Sequence, residues 1–194
     1  MAYPASISVE TPERVANWRP LFQWIMALPH LILAGVLGYV SRVVAIISWF
    51  VVVFTGRLPA GLAGFQVLTL RYNARANAYA GFLHDAYPPF AFDTSDDDPG
   101  GTPVHVRFQP QLENRNRLTV ALRLILVIPA GLFAFVIGLI AWICHIISFF
   151  SVLFTGRWPE ALRRWIVSAL GVGLRLNAYF LLLTDEYPPF SLDD

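Results

Sequence analysis

Apolar and polar residues alternate around Ile7 and Val9, and again around Val104, Val106 and Phe108, which predicts a short strand at each place. Each strand leads into a long run that is almost free of charge, from Leu21 to Phe54 in the first instance and from Leu118 to Phe154 in the second. These runs are too long for strands and predict helices. A different pattern follows over residues 59–84 and 159–184. In the first of these segments Phe65, Leu68, Tyr72, Ala76, Tyr79 and Leu83 share one helical face, Gln66, Thr69, Asn73 and Asn77 line another, and Arg71 and Arg75 project from a third.

The order strand, apolar run, mixed helix occurs twice because the chain repeats itself in a register of one hundred residues. Phe54-Thr55-Gly56-Arg57-Leu58-Pro59 returns as Phe154-Thr155-Gly156-Arg157-Trp158-Pro159. Arg75, Ala78 and Tyr79 return as Arg175, Ala178 and Tyr179. Asp85 and Tyr87-Pro88-Pro89-Phe90 return as Asp185 and Tyr187-Pro188-Pro189-Phe190. The repeats divide the chain into a first membrane repeat at 1–92, an acidic, turn-rich linker at 93–101 and a second membrane repeat at 102–194. The linker, with Asp93, Asp96, Asp97, Asp98, Gly100 and Gly101, reads as a solvated boundary.

About 20 residues cross the hydrocarbon of a bilayer, so each apolar run exceeds one straight span. Proline disfavours helix at the residue before it, so Pro29 and Pro129 predict an interfacial lead-in helix followed by the span proper, Trp18 to Leu28 and then His30 to Phe54 in the first repeat. The polar start of the chain argues against a cleaved signal. At Thr55-Gly56-Arg57-x-Pro59 and Thr155-Gly156-Arg157-x-Pro159, glycine can close one helix in the left-handed conformation and proline suits the first turn of the next. This predicts a tight helix-to-helix corner. Whether the second helix of each repeat also crosses decides the topology: two spans per repeat put both copies in one orientation and let the two strands pair, whereas one span inverts the second copy. The wheel favours a span, and arginine counts in the loops do not distinguish inside from outside.

Composition sharpens the picture. Hydrophobic residues make up 56% of the 194 positions and charged residues 14%, too little charge to cover an apolar surface in water. All the basic residues are arginine, which fits both GC-rich codon usage and bidentate pairing with phosphates or carboxylates. The net charge of +1 leaves no footprint for nucleic acid. The lone Cys144 excludes an intrachain disulfide, and His30, His84, His105 and His145 lack metal-ligand spacing. Asp96-Asp97-Asp98 lacks the spacing of a calcium loop. No catalytic or phosphate-cradling motif is present, so no enzyme activity and no cofactor are expected.

Charged residues inside a bilayer are costly, which makes Arg75 and Arg175 the candidate functional or clamp residues. Tyr79 and Tyr179, four residues on, are placed for cation–π contact or a hydroxyl bond with them. Arg42 and Arg123 have no counterpart in the other repeat and are expected to snorkel. Asp85 and Asp185, with the diproline motifs that follow, suggest an interfacial anchor or a partner dock.

The combination of Leu28-Pro29-His30, Trp49-Phe50, Phe54-Thr55-Gly56-Arg57-x-Pro59, Arg71, Arg75, Ala78-Tyr79 and Leu83-x-Asp85-x-Tyr87-Pro88-Pro89-Phe90 resembles an uncharacterised family of bacterial integral membrane proteins. That family is common in high-GC Gram-positives and defined as a domain of unknown function. The second copy departs from the pattern at Ala130, Phe149 and Gly171. The resemblance implies a membrane protein and supplies no catalytic residue or substrate. The expected architecture is an all-α, multi-pass protein of the cell membrane, with about four transmembrane helices in two tandem hairpins, interfacial lead-in helices and short strands before each repeat. The expected role is a non-enzymatic scaffold or accessory subunit. It would contact the lipid bilayer and a membrane-protein partner or further copies of itself. The alternative is a small channel or transporter whose intramembrane arginines line an anion pathway.

Overall fold

The computed structural model describes residues 3–192. Residues 1–2 and 193–194, the outer ends of the two expected repeats, lie outside the described residues. Strand β1 (Ala5–Val9) leads to helix α1 (Arg19–Thr55), which turns into α2 (Ala60–Ala80). Past the linker, β2 (Val104–Phe108) leads to the short α3 (Arg117–Ala121), then α4 (Arg123–Thr155) and α5 (Glu160–Phe180). The strands pair antiparallel with Ile7 opposite Val106. Ala5, Ile7, Val104, Val106 and Phe108 are buried on their inner face, while Ser8 and Arg107 are exposed. This is the one-sided burial that an alternating sequence requires.

The elements stack in layers. The strands rest on α5 and α2, and these helices rest in turn on α4 and α1. The long helices run antiparallel. Asn17, just before α1, donates to Leu153 O near the far end of α4 at 2.9 Å, and Trp49 near the end of α1 donates to Val120 O in α3 at 2.9 Å. Each long helix buries only a narrow seam. In α1 it comprises Pro20, Gln23, Ala27, His30, Ala34, Ser41, Ser48 and Val52, and in α4 Arg123, Ala130, Ile137, Cys144, Ser148 and Val152. The repeat of roughly 3.5 residues keeps the seam on one side, and its small residues permit close approach. Opposite the seam lies an uninterrupted apolar stripe: Ile32, Val36, Tyr39, Val43, Phe50 and Phe54 on α1, and Ile128, Leu132, Phe135, Trp142, Phe150 and Phe154 on α4. Ile32 is 67% exposed, Phe54 73% and Phe154 76%.

Several expectations change. Pro29 and Pro129 end no helix; each lies inside its long helix, on the exposed side. Proline removes one backbone bond, but seam residues on both sides of it, Ala27 with His30 and Ala34, keep packing in register and hold the helix. The break in the second copy falls at Leu122, between α3 and α4. Only α1 and α4 among the described residues are long and apolar enough to cross a membrane. The second helices are shorter than expected, ending at Ala80 and Phe180. They close in matching Schellman turns in which Leu83 N donates to Ala78 O and Leu183 N to Ala178 O. The left-handed position, usually glycine, is Phe82 (φ 48°) or Leu182 (φ 67°). Burial sustains these conformations: Phe82 stacks on Trp158 of the other copy at 5.1 Å, and Trp158 Nε1 donates to Phe82 O.

Candidate functional site

The repeated corner is built as its sequence suggests locally, with Gly56 and Gly156 in the left-handed conformation (φ 72° and 66°). Thr55 and Thr155 Oγ1 each donate back to the preceding turn at 2.7 Å and accept from the N–H of Arg57 or Arg157 at 3.2 Å. Pro59 and Pro159 stand just before the first helical residue. Each corner also receives the segment leading into the other copy. Arg115 N donates to Gly56 O at 3.1 Å and Leu58 N to Leu112 O at 2.7 Å. Reciprocally, Val15 N donates to Gly156 O at 3.0 Å, and Arg14 bridges Arg157. The motif is therefore the joint between the copies as well as a turn within each.

Arg71 and Arg75 leave the middle of α2 toward the linker and β2. Arg75 Nη2 meets Asp98 Oδ1 at 2.8 Å, and Arg71, 2% exposed, donates to the carbonyls of Ser95 (3.0 Å) and Asp96 (3.2 Å). Asp98 also accepts from Gly100 N at 2.8 Å and Val106 N at 2.7 Å, so one carboxylate ties helix, linker and strand together. Burial alone would push the Asp98 carboxyl up. The N–H donors of Val106 and Gly100 and the charges of Arg75 and Arg71 outweigh that and hold it below the ordinary carboxylate range. The linker is thus more than a solvated boundary. In the second copy Arg175, 1% exposed, donates to Ser191 O at 2.7 Å. The expected pairing of Arg75 with Tyr79 gives way to the stronger carboxylate partner, and Tyr79 packs instead on Tyr87 at 5.4 Å and His84 at 5.8 Å.

The turn after each second helix is fastened differently in the two copies. In the first, buried Gln23 Nε2 donates to Tyr79 O and His84 O, each at 2.8 Å. In the second, the equivalent Arg123 Nη1 donates to Tyr179 O and Thr184 O, each at 2.8 Å, and its Nη2 reaches Asp185 at 2.6 Å. Its guanidinium lies 3.8 Å from the Tyr179 ring centroid. Arg115 joins from the far side, 2.7 Å from Asp185 Oδ1. Arg123 does not snorkel: it is 1% exposed, because two carbonyls and a carboxylate solvate it internally. The hydrogen bonds from Arg115 and Asn116 and the two arginine charges overcome burial and hold Asp185 below the usual carboxylate range. Asp85, by contrast, is exposed, and its backbone carbonyl accepts from Arg19 at 3.3 Å.

The diproline motifs fold back over the long helices. Phe90 stacks on His30 at 4.1 Å with Tyr87 edge-on at 4.8 Å, and Phe190 packs on Phe133 at 5.4 Å. Pro88 and Pro188 are buried, while Pro89, Pro189, Phe90 and Phe190 are exposed. Cys144 is a buried seam residue. Among the described residues, no group of three or more His, Cys, Asp or Glu side chains is placed to hold a metal ion.

A family model described as a domain of unknown function (DUF4389) matches the chain twice, over residues 17–91 and 117–191. The chain belongs to the DUF4389 family. Both matches begin at the lead into the long helices and end within the diproline region, so the tandem copies are two DUF4389 domains. The strands and the whole acidic linker, Asp98 included, lie outside the matched intervals. No curated protein and no solved structure matches this chain.

Gln23, Asp98, Arg115 and the double clamp on Asp185 stand in no repeated motif. The signal available was paired substitution across the repeat: Val15 and Gln23 become Arg115 and Arg123 together, facing an aspartate that both copies keep.

Proposed function

We propose that this DUF4389 protein is a non-catalytic scaffold or accessory subunit of a membrane assembly, embedded through α1 and α4. One observation carries the reading: the outward stripes of both long helices are apolar from end to end and have no protein covering them. Exposed apolar surface on that scale calls for a bilayer or a partner. The repeated motifs fit a structural role, since the corners join the copies and the arginines fasten turns, linker and strand. Arg75 is already committed to Asp98, which supports a clamp over an anion pathway. The partner would be another membrane protein or a further copy of this chain.

The test is in native membranes. The protein is expected to stay in the pellet through an alkaline carbonate wash, and crosslinking is expected to recover a partner or a self-contact. Release into the carbonate supernatant would remove the membrane part of the proposal. A monomer with no crosslinked neighbour would remove the scaffold part.

A further inference from the structure

We infer that both repeats lie on a single leaflet, with α1 and α4 side by side in the membrane plane and no segment crossing to the other face. This rests on the membrane reading above and specifies its topology. The first argument is length. At about 1.5 Å per residue the 37 residues of α1 extend about 55 Å and the 33 of α4 about 50 Å. The hydrocarbon is about 30 Å thick and the whole bilayer about 40–45 Å, so a crossing α1 would tilt by about 35–45°, at the upper limit of the roughly 0–40° seen for spanning helices, or carry apolar end residues such as Phe22 and Phe54 out of the hydrocarbon.

The second argument is the layer behind these helices. Arg71 and Arg75, midway along α2, hold Asp98 and β2, and Arg175, on α5, accepts at its carbonyl from Tyr3 at 3.3 Å beside β1. The strand pair and acidic linker therefore cover the middle of the α2–α5 layer. If α1 crossed the bilayer with α2 alongside it, exposed Ser8, Arg107, Asp96 and Asp97 would sit at hydrocarbon depth. Charged residues there cost about 2.5–3.5 kcal/mol each on insertion scales. Turned by a right angle, the same layers form a slab with the charged sheet in water and the apolar stripes in lipid.

The third argument is charge placement. Because the long helices are antiparallel and exchange their lead segments, each end of the slab is alike: exposed Arg57 and Arg117 flank one, Arg14 and Arg157 the other. Between Arg19 and Arg57 the sequence of α1 holds one charge, Arg42. It sits 5.2 Å from the Tyr39 ring and lines the groove between α1 and the start of α4. Apart from Arg42, charge is thus confined to the two ends of the stripes, where arginines stand with exposed glutamates, Glu113 at one end and Glu13 and Glu160 at the other, as contact with headgroups and water allows.

Single cysteines at Ala16 and Thr55, which bracket α1, and at Ser95 in the linker, are placed in a Cys144→Ser background. An impermeant maleimide is applied to intact spheroplasts and then to lysed ones. All three are expected to label from the same side. Labelling of Ala16 and Thr55 from opposite sides, with the protein still resistant to carbonate, would overturn the one-leaflet topology while leaving the membrane reading intact. Loss of the protein to the carbonate supernatant would take both down. In reconstituted vesicles, bimane on Ile32→Cys, Val43→Cys and Phe54→Cys is expected to be quenched equally by lipids brominated at one depth. A graded response would contradict the in-plane helix. No quenching, with Ile32→Cys disulfide-linked between chains, would show that a second copy covers the stripe and would also overturn the inference.

Discussion

The two DUF4389 copies share a backbone and hold it together by different chemistry. In the first hairpin the seam between long and short helix is polar: His30 Nδ1 lies 2.7 Å from the Tyr72 hydroxyl, Ser41 hydrogen-bonds Gln66, and Asn73 donates to Ala34 O at 3.4 Å. In the second, the same positions are Ala130 with Val172, Ala141 with Ile166, and Gly173 with Ala134. The two side chain-to-side chain pairs have each been exchanged as a unit, which avoids leaving a buried partner unmatched, and the bond from Asn73 to the Ala34 backbone is lost with Gly173. At the turn the relation reverses. The first copy uses neutral Gln23 and leaves Asp85 in water, while the second buries two arginines on Asp185. What the two copies keep is geometry, while the side-chain chemistry that holds it differs between them.

That lesson can be broken most forcefully at the aspartates. Asp185→Ala is expected to destabilise the protein by about 3–5 kcal/mol, because it strands the buried charges of Arg115 and Arg123. Asp85→Ala should change stability by no more than about 0.5 kcal/mol. Denaturant titration in detergent micelles measures both, and equal losses would refute the asymmetry. The pH dependence follows the same residue. Asp185 has a depressed carboxyl pKa in the folded protein, so its stabilisation is complete above the unfolded value of about 3.9 and is lost as pH falls through the lower folded value. The unfolding midpoint should stay level from neutral pH to about 5 and drop below about 4. Asp185→Asn should flatten that drop, leaving the contribution of Asp98.

The seam gives a smaller effect. Ser41→Ala leaves buried Gln66 short of a partner and is expected to cost about 1–3 kcal/mol, whereas Ser41→Ala with Gln66→Ile, the second copy's pair, should recover most of it. A double-mutant cycle with no coupling would show that the pairs are independent. The corners separate the copies least. A Cβ at Gly156 would lie 2.8 Å from Asn17 Oδ1 and 3.2 Å from Val15 O, while at Gly56 the nearest atom is Arg117 Nε at 3.1 Å. Both positions have positive φ, so each alanine should cost about 1–2 kcal/mol. Gly156→Ala should be the worse, because it meets the Val15 backbone as well as the Asn17 side chain, where Gly56 meets only a flexible guanidinium.

The repeat, the strands and the helix corner were legible because each is local: alternation, a glycine at a helix end and a fixed register need no knowledge of distant residues. Pro29 misled because helix termination by proline is a local tendency, and a seam that packs on both sides of it prevailed. The wheel of α2 separated its polar flanks from its apolar face and favoured a span, yet α2 is not among the helices long and apolar enough to cross a membrane. It could not show that Asp98 and β2, outside the repeated domain, would supply the partners for Arg71 and Arg75. The assumption that an arginine in an apolar neighbourhood faces lipid failed for Arg123 for the same reason. Its carboxylate lies 62 positions away in sequence and meets it only once the hairpin closes.

The most direct test of the one-leaflet arrangement is the orientation of the helices themselves. Oriented circular dichroism on the protein in aligned bilayers should give the signature of helices parallel to the membrane plane, since α1 and α4 supply most of the helical residues and the one-leaflet arrangement lays both flat. A spectrum dominated by helices along the bilayer normal would contradict the arrangement and return α1 and α4 to crossing the membrane.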